Sequence, residues 1–150
     1  MLNADEILAL MPQKPPFRFV DRILELDDDH VVGEYTFRSD EFYYAGHFPG
    51  YPITPGVILV EAMGQTAQVL AIRLLSREAP AEDLGASLIV ATDFEVEFTH
   101  AVRPGQSVRA TSHKVFWRRR KLKSSVELTL ADGRPVARAT LGAMVVSRDP

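Results

Sequence analysis

The sequence predicts an α+β fold in which one long buried helix packs against an antiparallel sheet. The first observation is an apolar run from Val57 to Leu75, where hydrophobic residues fall on nearly every face of a helix. The second is a series of about six β-rich segments that are separated by turn residues rather than by further long helices. Because strands joined by short turns pair antiparallel, these segments are expected to form one sheet around the helix.

Length and composition limit what this chain can be. Its 150 residues with 46% hydrophobic content suffice for one domain with a substantial core, so we expect a single domain over 1–150. A net charge of −3 argues against a nucleic-acid-binding protein. The chain has no cysteine, which excludes disulfides and thiolate metal sites.

The N-terminus and the long helix both argue against a membrane protein. The first ten residues carry acids where a signal peptide needs basic residues. Glu61, Gln65, Gln68 and Arg73 interrupt the apolar run, which favours a protein interior over a lipid bilayer. We therefore expect a soluble, cytoplasmic protein without membrane or nucleic-acid partners.

The segment before the long helix predicts a short helix and a hairpin. Asn3 and Glu6 have the spacing of a capping box, and Pro12 ends the short helix that follows them. Segments 17–26 and 31–38 have strand composition, and the acidic turn 27–30 lies between them. These two strands are expected to pair.

The segment after the long helix predicts the rest of the sheet. Residues 76–85 are polar, contain Pro80 and are expected to form a connector. Further strands are predicted at 87–92, 94–98, 107–117, 122–130 and 136–146. Pro104-Gly105 marks a turn, and Asp132-Gly133 is a hairpin signal between the last two strands.

A stiff loop and a helical carboxyl group form the candidate catalytic pair. Prolines and glycines alternate through 46–56, so the backbone that carries His47 has little freedom. Glu61 lies one turn inside the apolar helix, where ionisation is costly unless the carboxylate is paired. The protonated form is therefore favoured, and Glu61 is a candidate general acid. If the loop folds back over the helix start, His47 and Glu61 form an acid–base pair.

The pattern H-F-P-G-x-P-x-x-P-G-V-x-x-x-E-A-M-x-Q, from His47 to Gln65, resembles the signature of the FabZ-type β-hydroxyacyl-acyl-carrier-protein dehydratases. Segment 11–26 and the turn at Arg103-Pro104-Gly105 are also similar to that family, so the resemblance covers nearly the whole chain. It implies the hot-dog fold, one long helix wrapped by a curved antiparallel sheet. It also implies a hydro-lyase that converts a (3R)-hydroxyacyl thioester into the trans-2-enoyl thioester in fatty acid synthesis or a related polyketide or polyene pathway.

The reaction requires three roles, and no metal or cofactor is needed to supply them. His47 is expected to remove the α-proton and Glu61 to protonate the departing hydroxyl. Backbone N–H groups at the helix start, those of Gly56 and Val57, are expected to stabilise negative charge on the thioester oxygen. We expect further substrate contacts from Phe48, Tyr44, Pro55 and Gln65. Gln65 lies one helical turn after Glu61 and is also a candidate to orient its carboxyl group by hydrogen bonding, the alternative being a polar residue with some other buried partner. For Tyr44 and its aromatic neighbours, ordinary core packing is an equal alternative.

Partners are also implied by the resemblance. The substrate is delivered by an acyl carrier protein, which is acidic, and the basic run Arg118, Arg119, Arg120 and Lys121 is a candidate docking surface. The alternative for this run is a solvated turn. The family forms homodimers whose sites take His47 from one chain and Glu61 from the other, and a hexamer built as a trimer of dimers is a further possibility.

The sequence departs from the family pattern at two places and leaves other functions open. The family commonly has histidine where Gln13 stands, and basic residues where the acidic segment 94–98 stands, which suggests a specialised pathway. Glutamate at position 61, where the isomerising branch has aspartate, favours dehydration alone. The alternatives are a hot-dog acyl thioesterase and a non-catalytic acyl-binding module.

Overall fold

The computed structural model describes residues 2–148, and Met1, Asp149 and Pro150 of the predicted domain lie outside the described residues. The helices are α1 (Ala4–Leu10), α2 (Tyr44–His47), α3 (Gly56–Ser76) and α4 (Ala81–Gly85). The strands are β1 (Arg22–Leu26), β2 (His30–Thr36), β3 (Ser87–Phe98), β4 (Ser107–Arg118), β5 (Lys121–Leu130) and β6 (Pro135–Ser147).

The six strands form one sheet in the order β1-β2-β4-β5-β6-β3, and every neighbouring pair is antiparallel. Helix α3 packs against this sheet, so the predicted α+β layout with one long central helix is confirmed. Strand β3 is twelve residues long and lies at the edge of the sheet. Its outer backbone groups therefore have no neighbouring strand within the described chain.

The core has two parts, one around each half of α3. The first half packs on the aromatic residues before the loop and on β4–β6, and the second half packs on α1 and β2. By length and composition α3 could cross a membrane, but 72% of its most apolar window is buried inside the protein. That burial is typical of the core helix of a soluble protein.

The expectation that α3 is buried on all sides was wrong for one stripe. Val57 is 75% exposed, and Val60, Glu61 and Gly64 are only partly buried. These positions have the i, i+3, i+4, i+7 spacing of one helix face, which the six-stranded sheet of this chain leaves open.

Several boundaries differ from the sequence prediction for local reasons. The predicted strand 17–26 begins only at Arg22, because the amide of Gln65 pairs with the backbone at Phe17 and Phe19. The two predicted strands 87–92 and 94–98 are one strand with a bulge between Ala91 and Asp93. The capping box of Asn3 and Glu6 is present, as predicted.

Candidate active site

Glu61 is held in place by a buried amide. Gln65, which is 1% exposed, donates from Nε2 to Glu61 Oε1 at 2.9 Å. The same nitrogen donates to Phe17 O at 3.0 Å, and Gln65 Oε1 accepts from Phe19 N at 2.7 Å. Gln65 therefore fixes the position of the Glu61 carboxyl group through a neutral partner.

The carboxyl group of Glu61 lines a cavity of about 130 Å³. The cavity lies between one face of α3 and strands β3 and β6, and its wall is largely apolar. Gln13, Gln65 and Gln68 add amide groups to this wall. An apolar cavity with a few polar groups is the usual form of a small-molecule site.

The geometry around His47 selects one tautomer of its ring. The residue ends α2 and is half-buried, and its Nδ1 lies 2.9 Å from Ile53 O. A carbonyl oxygen only accepts hydrogen bonds, so the proton must sit on Nδ1. The free Nε2 of the neutral ring is then a proton acceptor.

Hydrogen bonds hold the end of the loop that follows His47 and the segment before α2. Its end is tied by Thr54, whose N–H donates to Val102 O at 2.9 Å and whose hydroxyl pairs with the Tyr44 hydroxyl at 2.7 Å. Gly50 has φ of +78°, a conformation that favours glycine. Upstream, buried Glu41 accepts from the Tyr35 hydroxyl, and desolvation, followed by the hydrogen bond to Glu41, raises the pKa of Tyr35.

The start of α3 provides two free donors. Neither Gly56 N–H nor Val57 N–H has a backbone acceptor among residues 2–148, whereas Ile58 and Leu59 N–H both bond to Pro55 O. A Cβ at Gly56 would lie 3.0 Å from Phe98 Cζ, so glycine here permits β3 to approach the helix start. The absence of a side chain at Gly56 thus serves packing within the chain.

The other predicted substrate contacts differ in exposure. Phe48 is 50% exposed and its ring centroid lies 4.0 Å from that of His47, so it is an accessible apolar surface beside the base. Tyr44 is 5% exposed and Pro55 is buried, which places both in the core beneath the loop. Their contact with substrate stays a prediction.

The cavity that Glu61 lines does not include the proposed base. His47 is not among the residues that line the Glu61 cavity. The cavity borders the open stripe of α3 and the edge strand β3, whose Val90, Phe94 and Phe98 side chains are 40%, 58% and 45% exposed. Apolar side chains of β3 are therefore exposed beside the cavity that Glu61 lines.

Asp93 is a second carboxyl group at the cavity that the sequence analysis missed. Its hydrogen bond with Lys123 at 2.7 Å is the main cause that lowers its pKa to about 2. A Cβ at Gly142, on the strand between them, would lie 2.2 Å from Asp93 Oδ1, so glycine there lets the ion pair form. Asp93 is ionised at neutral pH and cannot donate a proton, which leaves that role to Glu61.

The basic run lies at the tip of the β4–β5 hairpin, and its last residue, Lys121, pairs with a residue that lines this cavity. Arg119 and Arg120 both have left-handed φ angles, 51° and 59°, as a two-residue hairpin turn of this twist requires. Arg118 stacks over the Phe116 ring. Lys121 Nζ lies 3.5 Å from Asp93 Oδ1, so the run continues to the cavity wall.

The sequence comparisons agree on one family. Residues 11–140 match the model of the FabA-like domain. A 3-hydroxyacyl-(acyl-carrier-protein) dehydratase FabZ from Chloroflexus aggregans is 39% identical to the chain over 133 residues, which cover 88% of each protein.

Solved structures share the fold. The dehydratase heterocomplex ApeI:P from Xenorhabdus doucetiae superposes with a TM-score of 0.77 at 15% identity, over 99% of this chain and 94% of that one. A thioesterase from Haemophilus influenzae superposes with a TM-score of 0.70 at 10% identity, over 100% of this chain and 94% of that one. These identities are too low to transfer an activity, but they confirm the predicted hot-dog fold.

Proposed function

The chain belongs to the FabA-like family and is related within it to the FabZ dehydratases, and we propose that it eliminates water from 3-hydroxyacyl thioesters of an acyl carrier protein. The observation that carries this proposal is the placement of Glu61. Its carboxyl group lines an apolar cavity, and its hydrogen-bond partner is the neutral amide of Gln65. A carboxylic acid placed in this way can protonate a leaving hydroxyl group.

The proposed reaction couples two proton transfers. His47 Nε2 takes the proton from the carbon next to the thioester carbonyl, and the electron pair of that C–H bond moves towards the carbonyl. The double bond forms as the C–O bond to the 3-hydroxyl breaks, and Glu61 donates the proton that releases water. Each transfer contributes about 10²–10⁴-fold to the rate. Proton exchange through solvent then restores neutral His47 and protonated Glu61.

The start of α3 supports the negative charge that develops on the thioester oxygen. The N–H groups of Gly56 and Val57 lack backbone acceptors among residues 2–148 and lie at the positive end of the helix dipole. One such donor contributes about 10²–10³-fold to kcat. All three roles are thus assigned to groups of the chain, and the proposed mechanism uses no metal or cofactor.

A second copy of the chain completes the site in this proposal. Since His47 does not line the Glu61 cavity, the base must reach it from a different surface. The long edge strand β3 and the open stripe of α3 border that cavity, and both offer apolar surface to a partner. Two of the three β3 acids are neutralised, Asp93 by Lys123 and Glu97 by Arg138, which favours pairing of two such edges. A hexamer of three such dimers stays a prediction.

Turnover of matched thioesters tests the proposed function. The protein is incubated with 3-hydroxyacyl and trans-2-enoyl thioesters on carrier protein or coenzyme A, and enoyl absorbance and mass are followed. We expect reversible interconversion without release of free thiol. Thiol release without interconversion would indicate a thioesterase, and binding without either reaction would indicate a non-catalytic acyl-binding module.

Docking of the acidic carrier protein on the hairpin tip is part of the proposal. Arg118, Arg119 and Arg120 are exposed, and the adjoining Lys121 reaches Asp93 at the cavity wall. A carrier bound at this tip is therefore close to the cavity that its acyl chain must enter. Complementary charge would mainly raise the rate of encounter.

Reversal of these three charges should raise the KM for carrier-protein substrates by about tenfold, because exposed pairs contribute roughly 0.2–1 kcal/mol each. Pantetheine thioesters present no acidic protein surface, so their KM should be unchanged. Arg134→Glu, in the turn between β5 and β6, is the control and should change the KM of neither substrate. Equal effects of the triple reversal on both substrates would assign the run to a solvated turn.

We further propose that this soluble protein acts in the cytoplasm.

A further inference from the structure

Two side-chain amides that line the Glu61 cavity each have one buried atom without a hydrogen-bond partner. Gln13 Oε1 and Gln68 Nε2 are buried, and neither has a partner among residues 2–148. Gln68 is only 4% exposed, and both side chains line the cavity of Glu61. One unpaired atom is an acceptor and the other is a donor.

Unpaired polar atoms of this kind are unusual in a folded protein. A buried amide without a hydrogen bond is destabilising, and nine-tenths or more of buried polar groups have partners. Apart from Gln65, Thr66 and Gln68, the buried positions of α3 are apolar, so an aliphatic residue at position 68 would pack at lower cost. The two amides are explained if a ligand supplies the missing partners.

The two amides lie away from the start of α3. Gln68 lies seven residues after Glu61 on the same face of α3, about 10 Å farther along the helix axis. Gln68 also borders a second, small cavity together with Pro12, the neighbour of Gln13. Both amides are therefore at the end of the cavity remote from the helix start, where the far part of an acyl chain would lie.

We propose that Gln13 and Gln68 form a subsite for a hydroxyl group carried on the acyl chain beyond the reacting carbons. A hydroxyl oxygen can accept from Gln68 Nε2, and its proton can be donated to Gln13 Oε1, so a hydroxyl group offers both kinds of partner that these two atoms lack. A carboxylate offers no proton to Gln13, and an ammonium group offers no acceptor to Gln68. A hydroxyl group also fits with the oxygen and nitrogen of each amide exchanged, because it donates and accepts. This inference rests on the proposed function, since it names a class of substrate for the same site.

The test compares two 3-hydroxyacyl pantetheine thioesters of equal length, one of which carries a terminal hydroxyl group, over a series of chain lengths. At the length that reaches the amides, kcat/KM should be about tenfold to a hundredfold higher for the hydroxylated substrate, because two neutral hydrogen bonds form. Gln68→Met and Gln13→Met keep the approximate size of the side chain and should each reduce this preference by about tenfold. The Gln68→Met protein should melt at the same or a higher temperature, because it loses an unpaired buried amide.

A binding measurement separates this inference from the dehydratase proposal. Acyl pantetheine amides with and without the terminal hydroxyl group cannot react, and calorimetry should give the same preference for the hydroxylated form. If neither thioester turns over but this preference remains, the subsite is supported and the dehydratase proposal fails. Gln106→Met is the matched control, since Gln106 caps the Arg103 backbone outside the cavity, and it should keep the preference. Two results would overturn the inference. One is equal affinity for the acyl pantetheine amides with and without the terminal hydroxyl group, and the other is a preference that survives in the Gln13→Met/Gln68→Met double variant.

Discussion

Replacement of Glu61 by glutamine is expected to lower kcat by about 10²–10⁴-fold while the fold is retained, because the change removes the proton donor for the leaving hydroxyl group. The glutamine oxygen at position 61 can still accept the hydrogen bond that Gln65 Nε2 now donates to the carboxyl group. The variant should therefore melt at the wild-type temperature or slightly above it, since an ionisable group leaves an apolar setting. Steady-state kinetics on a 3-hydroxyacyl thioester and a thermal melt measure the two effects.

His47→Ala is expected to produce a loss of the same size, because the base and the acid act in one step. The double variant should then be little worse than either single variant, as is found for groups that act as a unit. Glu127→Gln and His113→Ala are matched controls on exposed positions of the sheet and should keep full activity. A folded Glu61→Gln or His47→Ala protein with near-wild-type kcat would refute the assigned roles.

Mixing the two inactive proteins is expected to restore activity. In a heterodimer of one His47→Ala chain and one Glu61→Gln chain, a site that takes its base and acid from different chains is either fully wild type or doubly mutated. About a quarter of wild-type activity should return at equal mixing, because random exchange makes half of the dimers heterodimers and each has one intact site. The physical reason is that His47 lies outside the Glu61 cavity of its own chain.

Subunit exchange must be established independently, with two differently tagged chains that are co-purified after mixing. Activity that stays at the level of the single variants despite proven exchange would contradict the shared site, since each site would then take both residues from one chain. A mixture of His47→Ala and wild-type chains provides the calibration for the recovered activity. Each heterodimer in that mixture also has one intact site, because only one of its two sites lacks His47.

Local patterns were sufficient to predict most elements of the fold. The apolar run 57–75 was identified as a helix and observed as α3, because helical periodicity depends on residues three or four apart. The capping box at Asn3 and the turn at Asp132-Gly133 depend on even shorter separations. The hydrogen bond between Gln65 and Glu61 spans four residues and was expected for the same reason.

Long-range pairing accounts for what the sequence did not predict. Gln65 binds the backbone at Phe19 and Phe17, which are 46 and 48 residues away, and these bonds replace the first residues of the predicted strand. No local pattern indicated that Asp93 pairs with Lys123, 30 residues away and across an intervening strand. Which side chains supply partners for these groups depends on which distant strands and segments become neighbours, and local spacing along the chain does not specify that.

By itself the sequence determined the helix, the loop that carries His47, the position of Glu61 and, through its resemblance, the hot-dog fold and the family, since these depend on residue types at fixed short spacings. Only the tertiary structure decided that Asp93 is held as a carboxylate by Lys123, and that Gln13 and Gln68 line one cavity and each have an unpaired atom. The physical reason is that burial and hydrogen-bond satisfaction belong to the packed arrangement of distant segments, so the chemical state of a side chain is established only when those segments come together.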